Sequence, residues 1–406
     1  MTTPSNIPNP FRPGAGHMPP HLAGRGAQVD DFGRLLDQEV ILRNLVLTGL
    51  RGVGKTVLLD TFKPLALGRG WVWVGTDMSE SVSVSEETLA VRLITDLSVA
   101  TSSWVLGQRE VKAFGFDPSR KVEKQHLDYE TLIDVYESTP GLIADKLKRV
   151  LEVVSAVARR EKKRGIVFAY DEAQNLSDHA RKDQFPLSML MDLFHSIQRQ
   201  NVPFMLVLAG IPTLFPKLVE ARAFAERMFH VMFLQRLDDA SSREAITKPI
   251  DATGSEVKFN AKAVESVVRA SGGYPYFIQF ICREIFDIWI QQLVAGEKPQ
   301  TLKMSVIVRK LDQDFFAGRW SQTTDRQREL MTVVASLDSA DDEFTVQEIV
   351  AASKARLEKP FSPSHVSQIL GALAKAGLIY KNRHGKYSFA VPMLGHFIQR
   401  QTDNQR

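Results

Sequence analysis

The sequence predicts an α/β fold, in which a parallel β-sheet is covered by helices, followed by an all-helical domain and a small domain of three helices and a β-hairpin. Three observations predict it. Apolar runs of strand length at 44–48, 166–170 and 204–209 alternate with helical patterns, as in parallel sheets that are buried on both faces. From residue 238 onward the patterns are helical, and the C-terminal segment then has the order helix, helix, helix, hairpin. We therefore expect an extended arm at 1–26, an α/β core at 27–237, a helical lid domain at 238–320 and a C-terminal domain at 321–400.

Composition limits the class of protein. A chain of 406 residues with 44% hydrophobic and 24% charged residues is typical of a globular protein of two or three domains. We find no apolar run of membrane-spanning length and no signal peptide in the proline-rich first twenty residues, so we expect a cytoplasmic protein without membrane contact. The single cysteine, Cys282, excludes an internal disulfide framework. The formal charge of +4 is too small to establish a nucleic-acid partner.

The first chemical motif lies directly after the apolar run 44–48. Residues 49–56 fit the pattern G-x-x-x-x-G-K-[ST], and a helical pattern follows. Strand, glycine loop and helix is the context in which backbone N–H groups and a helix N-terminus bind phosphate, as in a P-loop NTPase core. The predicted phosphate-binding residues are Gly49, Gly52, Val53, Gly54, Lys55, Thr56 and Val57. Lys55 would contact the β- and γ-phosphates of ATP, and the Thr56 hydroxyl would bind Mg²⁺.

The second motif is an acidic pair, Asp171-Glu172, at the end of the apolar run 166–170. Alone such a pair is a weak signal, because acidic residues often begin helices. Downstream of a P-loop in an α/β pattern, it has the Walker B form. We expect Asp171 to bind Mg²⁺ directly or through water, and Glu172 to orient and deprotonate the attacking water. The run 204–209 leads to Thr213, the nearby polar candidate for sensing the γ-phosphate.

The C-terminal order of elements predicts a winged helix-turn-helix domain, with a helix at 365–376 and a hairpin at 378–389. Its charge is uneven. Seven basic residues lie between 354 and 386, namely Lys354, Arg356, Lys359, Lys375, Lys381, Arg383 and Lys386, with Glu358 as the one acid. This pattern favours contacts with DNA phosphates. A winged helix used for protein packing, with a solvated basic face, is the alternative.

Several motifs carry a family resemblance over nearly the whole chain. They are Asn9-Pro10-Phe11-Arg12-Pro13-Gly14, Leu22-Ala23-Gly24-Arg25, the P-loop, Tyr170-Asp171-Glu172-Ala173-Gln174, Ala209-Gly210-Ile211-Pro212, Ala225-Glu226-Arg227-Met228-Phe229, Gly272-Gly273-Tyr274-Pro275-Tyr276 and Gly377-Leu378-Ile379-Tyr380. With them the chain resembles the AAA+/STAND ATPases, in particular an actinobacterial-type group of ATP-binding proteins. It is similar to archaeal-type ATPases and, more distantly, to replication initiators of the origin-recognition class.

The resemblance implies further roles. Gly24 and Arg25 would lie against the adenine of ATP, and Pro275 would close the adenine pocket from the lid. Arg227 would enter the active site of a neighbouring subunit in an ATP-dependent homo-oligomer, as a third catalytic residue beside Lys55 and Glu172. The chain departs from the initiators in two ways: Gly-Tyr-Pro replaces the lid arginine, and Gln28 stands where an acidic residue is usual.

Three functions remain open from the sequence, and hydrolysis of ATP is common to all. The first is an ATPase whose nucleotide state sets its DNA binding or oligomer assembly. The second is a STAND-type signalling switch in which the winged helix makes protein contacts. The third is an adaptor ATPase of a mobile element or defence system, with a protein partner encoded nearby. The expected absence of a long repeat or effector domain after the winged helix counts against the second, and we favour the first.

Overall fold

The computed structural model describes residues 8–14, 16–111, 121–253, 258–297, 304–383 and 385–405. The chain divides into two compact units. The sheet unit comprises residues 27–48 and 58–233, and the helical unit comprises residues 1–26, 49–57 and 234–406. The P-loop thus groups with the C-terminal segments of the chain. The four domain boundaries expected from the sequence stay a prediction.

The chain as far as Leu234 alternates strands and helices. The helices are α1 (Gly26–Leu36), α2 (Lys55–Gly68), α3 (Glu86–Thr101), α4 (Tyr129–Ser138), α5 (Ile143–Arg160), α6 (Pro186–Gln198), α7 (Leu214–Ala221) and α8 (Ala225–Met228). The strands are β1 (Asn44–Gly49), β2 (Trp71–Val74), β3 (Val105–Val111), β4 (Lys121–His126), β5 (Gly165–Tyr170), β6 (Phe204–Gly210) and β7 (Phe229–Leu234).

A five-stranded sheet with the order β2-β5-β6-β1-β7 forms the centre of the sheet unit. The pairs β2–β5, β5–β6 and β6–β1 are parallel, with Tyr170 opposite Leu208 and Thr48 opposite Gly210. Every residue of β1, β5 and β6 is buried, because helices cover the sheet. The α/β class with a parallel sheet is confirmed. The carboxyl ends of these strands lie at one edge of the sheet, where ligands bind in such folds.

A buried amide fixes the start of this sheet. Asn44 is fully buried; its Nδ2 donates to Gln198 Oε1 at 3.1 Å, and its Oδ1 accepts from Gln198 Nε2 and from the Leu206 backbone N–H, both at 2.7 Å. Strands β1 and β6 and the last turn of α6 are therefore joined by hydrogen bonds that cost free energy to leave unmade in the interior. The hydrogen bonds of Asn44 thereby help to fix the register of β1 against β6.

Three features of the sheet unit differ from the expectation. Strands β3 and β4 form an antiparallel hairpin in a segment whose sequence is polar and weakly periodic. Strand β7 was missed; its residues Phe229, Met232 and Leu234 are buried while Val231 and Phe233 are exposed, as fits an edge strand. Helix α1 begins at Gly26, the last residue of the expected arm, and its first turn contains no acidic residue.

The rest of the chain is mainly helical. It comprises α9 (Asp239–Asp251), α10 (Ala261–Ser271), α11 (Pro275–Val294), α12 (Met304–Leu311), a π-helical segment (Asp312–Ala317), α13 (Gly318–Ser321), α14 (Asp325–Ala335), β8 (Phe344–Thr345), α15 (Val346–Arg356), α16 (Pro363–Lys375), β9 (Ile379–Arg383), β10 (Lys386–Phe389) and α17 (Leu394–Gln405). Strand β10 pairs antiparallel with β8 and β9. The order helix, helix, helix, hairpin is confirmed, with β8 and α17 added.

One continuous apolar core holds the helical unit together. Phe316 packs 5.8 Å from Phe277 of α11 and 5.1 Å from Phe397 of α17, measured between ring centroids. Beside these rings Arg400 donates to both carboxylate oxygens of Asp312, at 2.9 and 2.5 Å. Cys282 belongs to this core, and complete burial raises the pKa of its thiol well above its usual value.

The N-terminal arm is anchored to this unit. Phe11 is fully buried in the core, and the Asn9 side chain donates to Arg283 O at 3.0 Å and to Asp287 Oδ1 at 2.7 Å on α11. Among the residues that the model describes, no helix is long and apolar enough to cross a membrane.

Candidate functional site

The P-loop leaves the end of β1 and enters α2 at Lys55. Gly52 and Gly54 have φ values of 78° and 93°, in the left-handed region that glycine occupies without strain. Lys55 is buried, and its Nζ donates to Gly49 O and Leu50 O, both at 3.0 Å. The ammonium group therefore lies inside the turn of the loop, where the motif requires a positive charge for phosphate.

Arg25 is fastened to the P-loop from the N-terminal side. Its guanidinium is buried, and Nη2 donates to Val53 O at 2.9 Å and to Gln235 O at 2.8 Å. Burial lowers the pKa of Arg25. Gly24 precedes it with φ of 64°, and a Cβ atom there would lie 2.5 Å from Ser241 Oγ. Gly24 and Arg25 thus form a tight turn, and the buried guanidinium of Arg25 donates to a carbonyl of the P-loop.

The lid helix α11 contacts the P-loop at its first turn. Pro275 is the first residue of α11, and the next residue, Tyr276, donates its backbone N–H to Gly52 O at 3.2 Å. Gly273 before it approaches the backbone closely, since a Cβ atom there would lie 2.4 Å from Leu237 O. The structure therefore brings Arg25 and the first turn of α11 next to the P-loop.

Two arginines near the P-loop were missed by the sequence analysis. Arg51, inside the loop, lies beside the C-terminal domain: a Cβ atom on Gly377 would be 3.9 Å from its Nη1. Arg319 of α13 stacks over the Phe315 ring, with its Cζ 4.9 Å from the centroid. Partial burial lowers the pKa of Arg319, and the positive charge of Arg51 lowers it further. Two cations therefore lie close together beside the phosphate-binding loop.

The acidic pair, Asp171-Glu172, lies in the sheet unit. Asp171 is buried directly after β5; its backbone N–H donates to Thr76 O at 3.2 Å, and its carbonyl accepts from Met78 N–H at 2.9 Å. Glu172 is exposed and has φ of 50°, uncommon for a residue other than glycine. Its backbone N–H donates to Asp171 Oδ1 at 2.8 Å. The two carboxylates thus follow the strand in a fixed, strained turn.

Two further carboxylates accompany Asp171. The pKa of Asp60 is raised by partial burial; Lys63 opposes this shift, and the charges of Asp171 and Asp77 add to it. Among the described residues no group of three or more His, Cys, Asp or Glu side chains is arranged to hold a metal by itself. Mg²⁺ usually takes one or two carboxylates and completes its ligands with phosphates and water. Asp171, at the carboxyl end of β5, can supply one such carboxylate.

Arg227 lies on the short helix α8 and is exposed. The segment before it is held by Arg222, which donates to both carboxylate oxygens of Asp192, at 2.8 and 2.6 Å, and to Ser188 Oγ at 2.8 Å. These hydrogen bonds raise the pKa of Arg222. A bidentate arginine–carboxylate pair is a rigid support, so α8 presents Arg227 from a fixed base on α6.

Comparisons with known proteins decide the class. A model of the AAA ATPase domain matches residues 21–208, and a domain of unknown function (DUF8462) matches residues 313–398. The Walker-type ATPase of Pyrococcus abyssi is similar in structure, with a TM-score of 0.56 at 14% identity, covering 93% of this chain and 96% of that one. No curated protein matches the chain. Residues 21–208 therefore form an AAA ATPase domain of the P-loop class.

A second protein of known structure has a similar fold. The ORC2 protein of Aeropyrum pernix, in its ADPNP-ADP complexes, has a TM-score of 0.52 at 11% identity and covers 96% of this ATPase and 98% of its own chain. Its ADP form has the same TM-score and identity over 97% of both chains. At this identity the likeness shows a shared fold.

The buried arginine of this ATPase gives a first prediction. Arg25→Met keeps an unbranched side chain but leaves Val53 O and Gln235 O without their charged donor. We expect the free energy of unfolding to fall by about 2 kcal/mol and the affinity for ATP to fall with it, because the P-loop loses its outer support. Urea denaturation and binding of a fluorescent ATP analogue measure both.

The matched control is Arg243→Met, which alters an exposed arginine of α9 in the same unit. If Arg25→Met behaves like this control in both assays, the bond to the P-loop does not support nucleotide binding.

Proposed function

We propose that this AAA+ ATPase binds and hydrolyses ATP with Mg²⁺, and that its nucleotide state controls DNA binding by the C-terminal winged helix. The observation that carries the proposal is the position of the P-loop within the helical unit. Gly52 accepts a hydrogen bond from the lid, and Arg51 lies beside Gly377, which follows α16. A change of the loop on nucleotide binding therefore acts directly on the lid and on the C-terminal domain.

A second feature supports this coupling. Partial burial raises the pKa of Tyr274 in the Gly-Gly-Tyr-Pro turn; Arg236 opposes the shift, and the charges of Asp341 and Tyr380 in the C-terminal domain add to it. The turn before α11 therefore lies near enough to the C-terminal domain to interact with it electrostatically. Two ligands that favour different arrangements of such shared contacts are coupled, and each changes the affinity for the other by the same factor.

The residues proposed for nucleotide chemistry have distinct tasks. Lys55 neutralises charge on the β- and γ-phosphates, and Thr56 and Asp171 hold Mg²⁺, which when bound offsets the charge that develops on the phosphates. Glu172 orients the attacking water and takes its proton. Gly24, Arg25 and Pro275 line the adenine side. The rest of the phosphate cradle is the backbone of Gly49, Gly52, Val53, Gly54, Lys55, Thr56 and Val57.

Two substitutions separate binding from turnover. Lys55→Ala removes the buried charge of the P-loop, so ATP binding should be lost. Glu172→Gln keeps the shape of the side chain but cannot accept the proton, so ATP should bind normally while turnover is lost. Fluorescent-nucleotide titration and a phosphate-release assay measure the two properties.

Lys163→Ala and Glu161→Gln, both at exposed positions after α5, are the matched controls and should resemble the unaltered ATPase. Near-normal turnover by Glu172→Gln would remove this carboxylate from the catalytic role and leave ATP binding intact as a separate conclusion.

We propose in addition that Arg227 completes the site of a neighbouring copy in an ATP-dependent homo-oligomer. Its exposure and the rigid Arg222–Asp192 support fit a side chain that acts outside its own subunit. Arginines supplied in this way stabilise the charge of the transition state and accelerate hydrolysis by about 10³-fold or more.

Arg227→Ala should therefore slow hydrolysis strongly without weakening ATP binding, and the turnover per subunit of the unaltered ATPase should rise with protein concentration. Phosphate release measured over the concentration range in which light scattering follows assembly provides the test. Arg199→Ala removes another exposed arginine of the sheet unit and serves as control. Flat specific activity in an ATPase that stays monomeric with ATP would reject the role in trans.

The winged helix offers a surface suited to DNA. Ser362 caps α16 by accepting from the His365 backbone N–H. The exposed face of α16 carries small and polar residues, namely Ser364, Ser367, Gln368, Gly371 and Lys375. The exposed residues Lys354, Arg356, Lys359 and Lys381 lie on neighbouring elements. A slim polar helix flanked by cations fits a major groove lined by phosphates.

The wing gives the test of DNA binding. Lys386 is half-buried on β10, and Arg383 ends β9, its side chain lying outside the described residues. Replacing both by Ala should weaken binding to every duplex sequence alike and flatten the slope of log K against log salt by about two. Fluorescence anisotropy with duplex DNA, titrated with salt in ATP and in ADP, measures this.

The control variant Arg243→Ala/Lys262→Ala lowers the net charge equally at exposed positions of α9 and α10. An unchanged slope in the wing variant rejects the phosphate contacts. Little DNA affinity at any salt, combined with an altered ATPase rate in the wing variant, would indicate that the winged helix is used for packing. Equal DNA affinity in ATP and ADP would remove the proposed control by nucleotide.

A further inference from the structure

Gln174 lies two residues after Glu172 and connects it to the end of β6. Its Nε2 donates a short hydrogen bond to Glu172 Oε2. Its Oε1 accepts from the Ile211 backbone N–H at 3.2 Å. Ile211 is the first residue after β6, so one side-chain amide joins the Glu172 carboxylate to the strand that lies between β5 and β1 in the sheet.

Gln174 is itself held in place. Its backbone carbonyl accepts from Lys217 Nζ at 2.6 Å, and burial of that lysine lowers its pKa. The neighbouring Asn175 donates from Nδ2 to Met78 O at 2.8 Å. Bonds from both sides therefore fix the turn that carries Gln174.

Gly210 provides the space that the amide needs. A Cβ atom at this position would lie 2.6 Å from Gln174 Oε1 and 2.9 Å from a methyl carbon of Leu214. Its backbone is extended within β6, so the requirement for glycine there comes from close approach and not from a special φ. Glycine is therefore required at position 210 of the Ala209-Gly210-Ile211-Pro212 motif because a larger residue would collide with the amide of Gln174.

The backbone of Glu172 does not fix the direction of its carboxylate, so that direction depends on the hydrogen bond with Gln174. The left-handed φ and the bond from Glu172 N–H to Asp171 Oδ1 fix the main chain, while the exposed side chain retains three rotatable bonds. A general base must be aimed within hydrogen-bond reach of its water, and a base is commonly oriented by a third group. The amide of Gln174 is a donor placed to do so.

We propose that Gln174 is the positioning residue of Glu172, aiming its carboxylate for catalysis and linking that aim to the end of β6 through Ile211. The proposal rests on the proposed role of Glu172 as the base. Glutamine suits the task because one side chain must donate to a carboxylate and accept from a backbone N–H at the same time. A shorter Asn would not span both partners, and Glu would have no donor.

The test compares Gln174→Ala and Gln174→Glu with the unaltered ATPase. Both should lower kcat by about 10- to 100-fold, since misplacing a catalytic group costs rates of this order, while KM and the Kd for a fluorescent ATP analogue stay unchanged. Gln174→Glu keeps an oxygen for Ile211 N–H and replaces the donor to Glu172 by a second carboxylate, which repels it. Asn175→Ala, which loosens the same turn without touching Glu172, is the matched control and should keep kcat.

Gly210→Ala tests the link from the other side, because the added methyl displaces Oε1 without altering Gln174. It should lower kcat in the same way, with thermal denaturation showing that the variant is folded. A double variant separates the inference from its premise. In the Glu172→Gln background, Gln174→Ala should cause no further loss, because residues acting as a unit are not additive.

The outcomes are distinct. If Glu172→Gln retains turnover, the assignment of the base fails. If Glu172→Gln is inactive while Gln174→Ala and Gln174→Glu keep a normal kcat, the positioning role alone is overturned. A kcat raised by either Gln174 variant would also overturn it, since the amide would then restrain the base. A loss equal to that of Asn175→Ala would reduce Gln174 to a structural part of the turn.

Discussion

The structure of this ATPase depends on how the carbonyl oxygens of its P-loop are bonded. The Lys55 side chain donates hydrogen bonds to the carbonyl oxygens of Gly49 and Leu50. The Tyr276 backbone N–H donates to the carbonyl of Gly52, and the Arg25 side chain donates to the carbonyl of Val53. A phosphate-binding turn presents its N–H groups to an anion, so its carbonyls must be satisfied elsewhere. Here the donors come from the loop itself, the lid and the N-terminal segment. The turn is thereby supported by segments that lie on both sides of it in the sequence.

This pattern explains why residues far apart in sequence belong to one compact unit. In the sequence, residues 49–57 lie between the two segments of the sheet unit, 27–48 and 58–233. In the structure they nevertheless belong to the helical unit, with residues 234–406. The loop is short and rich in glycine, so it carries few side chains that could bind it to a sheet. Its backbone is instead held by polar donors from the N-terminal segment and α11. Nucleotide binding and the state of the lid are therefore expected to be coupled through hydrogen bonds rather than through apolar packing.

Local patterns were sufficient for the parallel strands, the P-loop and the acidic pair, because burial on both faces and the glycine spacing are visible within a few residues. They were insufficient for β7, where exposed Val231 and Phe233 break the apolar run, and for the β3–β4 hairpin, whose residues are polar. The roles of Arg51 and Gln174 could not be predicted, because their partners lie far away in the sequence. Gly210 was a usable signal, since a glycine ending a buried strand indicates close approach. The site roles themselves stay predictions.

The burial of Cys282 has a practical consequence for spectroscopy. It is the one cysteine of the chain, it is fully enclosed in the core of the helical unit, and burial disfavours its reactive thiolate. A cysteine introduced on the exposed face of α16 or in the lid would therefore be the one thiol open to maleimide dyes or spin labels. The native residue can be left in place, which avoids a cavity in the aromatic core. Distances between the winged helix and the lid thus become measurable in an otherwise unaltered chain.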